Sequence, residues 1–310
     1  MMNRSDVLLL FGILLLGGAV GCARDSAAGE CQHNNDCAQG YHCDQGTCVS
    51  DAPGPDATTA DAQTADGEVS CAAEELPFSD AEETVVIPDH ARYMHVKLWG
   101  AGGNDESQCP WTDNGAGLDG GQGGFTEAIF EIHAGTALAP GTELVVIVGA
   151  AGLAGASSSR FGFGVRGGGG LTGVFFGPAP IEAGDAVQAL AVAGGGGSAG
   201  APNCHPGGPG NHPDAGGRAD MQGGEGADSD HIIGGGGGFE GGPGGDLNLA
   251  ATGGAGFVDE TLALDHRLHS AVSGDNPVPG STDEDYLAQG GTAGRSEQPG
   301  LAIIRFTCAL

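Results

Sequence analysis

One pattern in the sequence would suit nucleophilic catalysis. Residues 196–200 read Gly-Gly-Ser-Ala-Gly, with Ser198 at the centre of the Gly-x-Ser-x-Gly pattern of a nucleophile elbow. A strand-like apolar stretch precedes Ser198, but Ala201-Pro202-Asn203 and more glycines follow it. These residues do not predict the helix that an elbow requires. Because such matches arise by chance in glycine-rich sequence, we expect no catalytic residue and no enzymatic activity.

Two glycine patterns resemble ligand-binding motifs without their usual surroundings. Gly115, Gly117 and Gly120 form a G-x-G-x-x-G pattern, but neither a strand before it nor a helix after it is predicted. Residues 241–246 open like a calcium-binding β-roll repeat. That repeat occurs once, and Asn248 stands where a large apolar residue belongs. We therefore expect no cofactor, and calcium has no clear motif.

Three histidines in the glycine-rich region offer a possible metal site. His205, His212 and His231 lie within 27 residues of one another in polar, glycine-rich sequence. Ordinary loop histidines are the simpler interpretation, so we expect no bound metal.

The amino terminus predicts export and a lipid anchor. Residues 1–21 carry Arg4 and the apolar run 7–16, which is too short to span a bilayer and is typical of a secretory signal. Residues 19–22, Ala-Val-Gly-Cys, resemble a bacterial lipobox. The resemblance implies cleavage before Cys22 and acylation of Cys22, with palmitate among the attached chains, and an outer-membrane location at the cell surface. An ordinary secretory signal with an incidental cysteine is the alternative.

The eight remaining cysteines begin with a dense cluster in residues 31–48. Its spacing is C-x5-C-x5-C-x4-C, formed by Cys31, Cys37, Cys43 and Cys48. So short a segment cannot surround a hydrophobic core, and two disulfides are predicted to stabilise it. A zinc site that includes His33 or His42 is the alternative, although zinc sites usually have closer cysteines. The segment resembles the short four-cysteine modules of the Dickkopf-amino-terminal or EB type, which implies interaction or spacing.

Composition indicates the character of the segments on either side of the cysteine cluster, and net charge limits the possible partners. Residues 22–30 are a short anchor segment, and residues 49–70 are an acidic Ala/Asp/Thr/Pro linker that is predicted to be extended and disordered. The net charge is −30, and Lys97 is the only lysine. Nucleic acid binding requires basic residues, so nucleic acid is excluded as a partner.

Residues 71–310 form the main domain, and their short apolar segments predict an all-β fold. The segment 93–99 alternates with a period of two, which is typical of a half-buried strand. Residues 259–270 predict a short helix. With turn signals between the strands, the pattern favours a β-sandwich or jelly roll. The predicted strands are 84–88, 93–99, 125–132, 143–148, 172–176, 187–193 and 301–307.

Glycine blocks separate these strands. Most of the 63 glycines lie from residue 100 onward, in blocks such as 167–170, 194–197 and 234–238. Glycine destabilises strands but can form polyproline-II segments that pack closely side by side. Because the blocks adjoin apolar strand ends, we expect ordered, mutually hydrogen-bonded segments and not floppy loops.

The order of these segments resembles the glycine-rich domain family. This family includes the extracellular glycine-rich region of the anaplastic lymphoma kinase and leukocyte tyrosine kinase receptors, and many bacterial proteins. The resemblance covers roughly residues 83–307 and implies a tumour-necrosis-factor-like β-sandwich with inserted glycine helices. The segments that carry it are VKLWGAGG (96–103), GGQGGFTEAIFEI (120–132), TELVVIVGAAG (142–152), LAVAGGGG (190–197), GGGGGFEGG (234–242) and GLAIIRF (300–306).

Four cysteines accompany this domain. Cys71 and Cys308 flank it, and they would pair if its first and last strands were neighbours. Cys109 and Cys204 would then form the second disulfide. Four cysteines allow three pairings, so this pairing is a preference.

These features favour a non-catalytic lipoprotein of the cell surface. Its glycine-rich domain would bind an extracellular protein or a glycan, and the lipid on Cys22 would hold it to the membrane. The alternative is a structural envelope or matrix scaffold that self-associates through the glycine-rich region.

Overall fold

The computed structural model describes residues 41–44, 47–50, 73–76, 82–105, 119–152, 162–165, 167–200, 205–212, 220–225, 233–245, 250–270 and 277–308. The chain divides into two compact units, Met1–Gly67 and Glu68–Leu310. In the first unit, β1 (Tyr41–Asp44) and β2 (Thr47–Ser50) form an antiparallel hairpin in which Cys43 lies opposite Cys48. Cys22, Cys31 and Cys37 lie outside the described residues, so the lipid anchor and the two-disulfide module stay predictions.

The second unit contains two antiparallel five-stranded sheets. Sheet I consists of β4 (Glu83–Val86), β7 (Glu143–Ile147), β8 (Thr172–Phe176), β9 (Ala189–Ala193) and β10 (Phe257–Val258). Sheet II consists of β3 (Ala73–Leu76), β5 (Tyr93–Trp99), β6 (Phe125–Glu131), β11 (Ala263–His269) and β12 (Leu301–Thr307). The spatial orders are β10-β9-β8-β7-β4 and β11-β6-β5-β12-β3. The prediction of an all-β fold is confirmed.

The two sheets share one apolar core. On β5, the alternate residues Met94, Val96 and Leu98 are fully buried, as the period of two predicted. They belong to the same cluster as Val146 of β7 and Val174 of β8, so sheets I and II pack face to face. Each such fully buried aliphatic side chain contributes roughly 1.5–3 kcal/mol to folding.

Parts of the outer faces of both sheets are also covered. On sheet II, Trp99 and Phe125 pack against Tyr286 of the short helix α1 (Glu284–Ala288). On sheet I, Val145 and Phe175 pack in a cluster with residues of the glycine-rich segments, including Met221. Covering on both faces explains why β7 is a continuous apolar run.

The glycine blocks form an ordered bundle around residues 194–198. Successive amides of this central segment donate to three neighbours in turn, over donor–acceptor distances of 2.7–3.0 Å. Gly194 and Gly197 donate to residues 207–211, Gly195 and Ser198 to residues 234–238, and Gly196 to residues 100–104. Amides three residues apart therefore donate to the same neighbouring segment, and three residues is the period of a polyproline-II helix.

The carbonyl groups of the central segment accept from three other segments. Gly194 and Gly197 accept from residues 119–124, Gly195 from residues 251–255 and Gly196 from residues 167–171. Six segments therefore surround the central one, and every backbone amide and carbonyl of residues 194–197 is hydrogen-bonded. This bonding removes the cost of burying polar backbone away from water.

Residues 259–270 correct one prediction. A helix was expected there, but residues 263–269 form β11, which pairs with β6 from Phe130 to Phe125. The partial helical alignment of Leu262, Leu264 and Leu268 was misleading, because strand formation depends on the neighbouring strand more than on local pattern. The chain turns into β11 at Asp259, whose carbonyl accepts from the amides of Leu262 and Ala263.

Candidate functional site

The outer face of sheet II carries the main group of interacting charges among the described residues. Strand register places Arg267 of β11 opposite Glu127 of β6, and Glu127 opposite Lys97 of β5. On the next outward-facing row, His95 of β5 lies opposite Arg305 of β12. Opposite charges on neighbouring strands stabilise each other, and they hold these side chains across four strands of the sheet.

Glu127 is the centre of the first group. Its side chain is only 10% exposed, and its Oε1 lies 2.8 Å from Nε2 of His95. Its Oε2 accepts a hydrogen bond from the Arg267 guanidinium. A carboxylate so well covered requires such partners, because an unpaired buried charge is costly.

Lys97 and Arg305 form the second group with two aspartates of the segment around α1. The Lys97 ammonium donates to Asp283 at 2.7 Å and to Asp285 at 2.8 Å. The Arg305 guanidinium donates to both carboxylate oxygens of Asp285. Asp283 is also the N-cap of α1 and accepts from the amide of Asp285 at 2.9 Å. These bonds hold α1 against sheet II.

The contacts within the second group shift the pKa values of Asp285 and Lys97, and burial shifts that of the neighbouring Tyr286. Hydrogen bonds from the Arg305 guanidinium, reinforced by Lys97, outweigh burial and lower the pKa of Asp285 to about 2. Burial alone would lower the pKa of Lys97, but the hydrogen bonds and charges of Asp283 and Asp285 raise it. Burial raises the pKa of Tyr286. Asp285 and Lys97 are therefore both charged at neutral pH, and their attraction holds α1 in place.

A shallow pocket opens beside the first group, at the edge of sheet II. Glu127, Ile129, Asp265, His266 and Arg267 line it. The Arg267 side chain is 62% exposed, so its remaining N–H groups reach solvent although it bonds to Glu127. The pocket has a volume of about 70 Å³, so it has room for one small group of a larger ligand and not for a whole ligand.

Ser198 occupies a position in the glycine bundle that does not suit a nucleophile. It is fully buried, and its hydroxyl oxygen accepts from the amide of Gly234 at 2.8 Å. The chain after it forms an isolated antiparallel bridge between Gly200 and His205 where an elbow would have a helix. The hydroxyl therefore serves the hydrogen bonding of the bundle.

The three histidines of the glycine-rich region are only partly described. His205 and His212 are described and His231 is not; within the described residues, no group of three or more His, Cys, Asp or Glu side chains could hold a metal ion. Gly241 and Gly242 donate to backbone carbonyls of the bundle, as the amides of a packed segment.

Of the four cysteines that accompany the main domain, Cys308 is described and directly follows β12. Cys71, Cys109 and Cys204 lie outside the described residues. Pairing of Cys71 with Cys308 requires that the first and last strands of the domain be neighbours. β3 starts two residues after Cys71 and pairs with the last strand, β12. The pairing itself stays a prediction.

No family model matches the chain, and no curated protein is significantly similar to it. The resemblance to the glycine-rich domain family therefore stays a prediction. Among the described residues, none of the helices is long and apolar enough to cross a membrane.

Proposed function

We propose that this chain is a lipid-anchored protein of the bacterial cell surface whose glycine-rich β domain binds a polar ligand and catalyses no reaction. The lipobox at residues 19–22, with Cys22 as the acylated residue, supports the anchor. The acidic linker 49–70 supports display at a distance from the membrane, because like charges extend such a segment.

The pocket at the edge of sheet II is the observation that carries the binding function. Glu127 stands on β6, most of whose residues are buried, and it is fixed by His95 and Arg267. Binding is stronger when the contacting groups are ordered beforehand, since less entropy is lost on association. The glycine bundle, whose segments are hydrogen-bonded to one another, keeps the other side of the core ordered as well.

The ligand class follows from the exposed groups of the pocket. Arg267 offers N–H donors in a planar fork that fits carboxylate or hydroxyl oxygens, and Asp265 offers acceptors. A glycan or a polar protein surface presents both kinds of partner. The net charge of −30 disfavours an acidic polymer such as a nucleic acid.

The fold is consistent with this role. We propose that the two five-stranded sheets form a tumour-necrosis-factor-like jelly roll with inserted glycine helices, as the family resemblance implies. In the receptors of that family the glycine-rich region binds protein ligands, which favours recognition over chemistry.

The alternative function, a scaffold that self-associates through the glycine-rich region, has less support. The backbone groups of residues 194–197 are all used within the chain. They are therefore not available for bonds to a second glycine bundle.

Binding is tested with the full-length chain in detergent, probed against an array of bacterial and host glycans and against surface proteins of neighbouring cells. We expect Arg267→Ala to reduce binding at least tenfold. Arg92→Ala is the matched control, because Arg92 is also an exposed arginine but lies outside the pocket. Equal binding by both variants would exclude the pocket as the ligand site.

The anchor is tested separately. We expect Cys22→Ala to abolish incorporation of labelled palmitate and to leave the signal segment uncleaved. In the control variant Arg24→Ala, palmitate should still be incorporated and the signal segment should still be cleaved. Protection of the natural chain from protease added to intact cells would contradict surface display.

A further inference from the structure

We infer that two copies of this chain associate through β11, edge to edge, so that their two copies of sheet II join into one ten-stranded sheet. The inferred interface includes Asp265 and Arg267, which also line the pocket described above, so it is tested by cross-linking and not by ligand binding. The inference starts from the sequence of the strand, Ala-Leu-Asp-His-Arg-Leu-His at residues 263–269.

The central residues of β11 are complementary to themselves in the antiparallel sense. If two copies pair about a two-fold axis at His266, Asp265 of one copy lies opposite Arg267 of the other. By symmetry this pair occurs twice. Opposite charges directly across two strands are a favourable combination, and a two-fold interface is the commonest form of homodimer.

Accessibility of the strand supports this pairing. Among the described strands, β11 lies at one end of sheet II and pairs with β6 only. Leu264 and Leu268 are 52% and 42% exposed, which is unusual in a domain whose other large apolar residues are mostly buried. Pairing with a second β11 would cover both leucines and would satisfy the outward-facing backbone groups of the edge.

Register within the chain is compatible with the inferred dimer. An irregularity lies between Ala263 and Asp265, but residues 265–269 pair with β6 without interruption. Asp265 and Arg267 share the outer face with Glu127, so the paired side chains of two copies would lie on one face. The five N–H donors of arginine allow Arg267 to bond to Glu127 of its own copy and to the second Asp265 together.

The other edges of the two sheets lack this complementarity. At the other end of sheet II, β3 carries Glu74 and Glu75, so two copies would oppose like charges. In sheet I, β10 has two residues and β4 has four, with Glu83 at its start. Acidic residues and short strands are common ways of preventing edge pairing. In a chain of net charge −30, β11 alone combines seven residues with one acidic and one basic side chain.

Such a dimer would turn both outer faces of sheet II to the same side, because the two-fold axis through His266 stands perpendicular to the sheet.

Cysteine cross-linking of the full-length chain in detergent tests the register. We expect His266→Cys to give a disulfide-linked dimer on mild oxidation, because the axis places the two copies of residue 266 about 5 Å apart. His269→Cys is the matched control on the same strand, where the two copies would be about 20 Å apart. Oxidation of the natural chain, which lacks the new cysteine, measures any cross-linking through the cysteines that the chain already contains. No dimer, or equal dimer at both positions, would overturn the inferred pairing.

A charge reversal tests the ion pairs. In the His266→Cys background, Asp265→Arg places two arginines opposite each other twice and should reduce the cross-linked fraction at least fivefold. Glu143→Arg makes the same change of charge on an exposed residue of sheet I and should leave the fraction unchanged. An undiminished fraction with Asp265→Arg, or an equal loss with both changes, would also reject the proposed interface.

Discussion

Gly195 lies directly against Gly169: a Cβ atom built on Gly195 would overlap the Gly169 carbonyl oxygen. That carbonyl accepts from Gly237, and Gly169 itself donates to Gly196. The neighbouring backbone therefore cannot move away without breaking hydrogen bonds. In the centre of the bundle, glycine is required for close packing of backbones and not for an unusual φ angle.

This contact makes Gly195→Ala a severe change. We expect the free energy of unfolding to fall by at least about 3 kcal/mol, since overpacking by even one carbon is costly where the neighbours are fixed. Gly184→Ala is the matched control, because a Cβ there meets nothing within 4 Å. It should be neutral or stabilise by about 0.4–1 kcal/mol through the unfolded state. Chemical denaturation measures the free energy of unfolding of both variants. Equal stability of the two would show that the backbone of the bundle can move to accommodate a Cβ atom at residue 195.

Sequence patterns predicted the strands better than the relations between them. Tyr93–Trp99, Thr172–Phe176 and Leu301–Thr307 have the predicted bounds, because alternation or a continuous apolar run reports burial directly. β3 and β10 were missed: β3 carries two glutamates and β10 has two residues, so neither has a period to detect. The helix expected near Leu264 failed because pairing with β6 determines that segment.

The charged groups of sheet II were beyond sequence reasoning. Lys97 was notable as the only lysine, but its partner Asp283 lies 186 positions away along the chain. Similarly, Glu127 looked like an ordinary outward-facing strand residue until register placed it beside His95 and Arg267. Composition predicted that glycine segments would bond to one another, but not which segments surround residues 194–198.

The charge of Asp285 makes the stability of the fold depend on pH. Its pKa is lowered from 3.8 to about 2, so the folded state favours the charged form. This contribution is fully present above about pH 4 and is lost as the pH falls toward 2. A shift of this size corresponds to about 2 kcal/mol.

We therefore expect Asp285→Asn to lower the free energy of unfolding by about 2–3 kcal/mol at pH 7, since Arg305 loses its carboxylate partner. The difference from the natural chain should shrink as the pH falls from 4 to 2. Glu284→Gln, at the exposed neighbouring position, is the control and should change stability by less than about 0.5 kcal/mol. Denaturant titrations at several pH values measure these differences; a gap that is constant with pH would contradict the role of the charge.

Ser198 should matter for stability and not for catalysis. Ser198→Ala leaves the buried amide of Gly234 without its acceptor, which costs about 1–3 kcal/mol. Thr136→Ala also removes a hydroxyl that makes one hydrogen bond, but at an exposed turn, and should cost much less. Thermal unfolding measures the stability of both variants, and ester substrates probe for activity. An esterase activity that Ser198→Ala abolished without loss of stability would show that Ser198 is a nucleophile.

The last prediction concerns the closure of the domain by a disulfide. Antiparallel pairing places Ala73 of β3 opposite Arg305 of β12, so the chain enters β3 near the end of the last strand. Cys71 precedes β3 by two residues, and Cys308 directly follows β12. We expect non-reducing peptide mapping to link Cys71 to Cys308, and Cys71→Ser to lower the free energy of unfolding by about 2–5 kcal/mol. A peptide that joined Cys71 to Cys109 would exclude this closure and would imply that Cys308 pairs elsewhere.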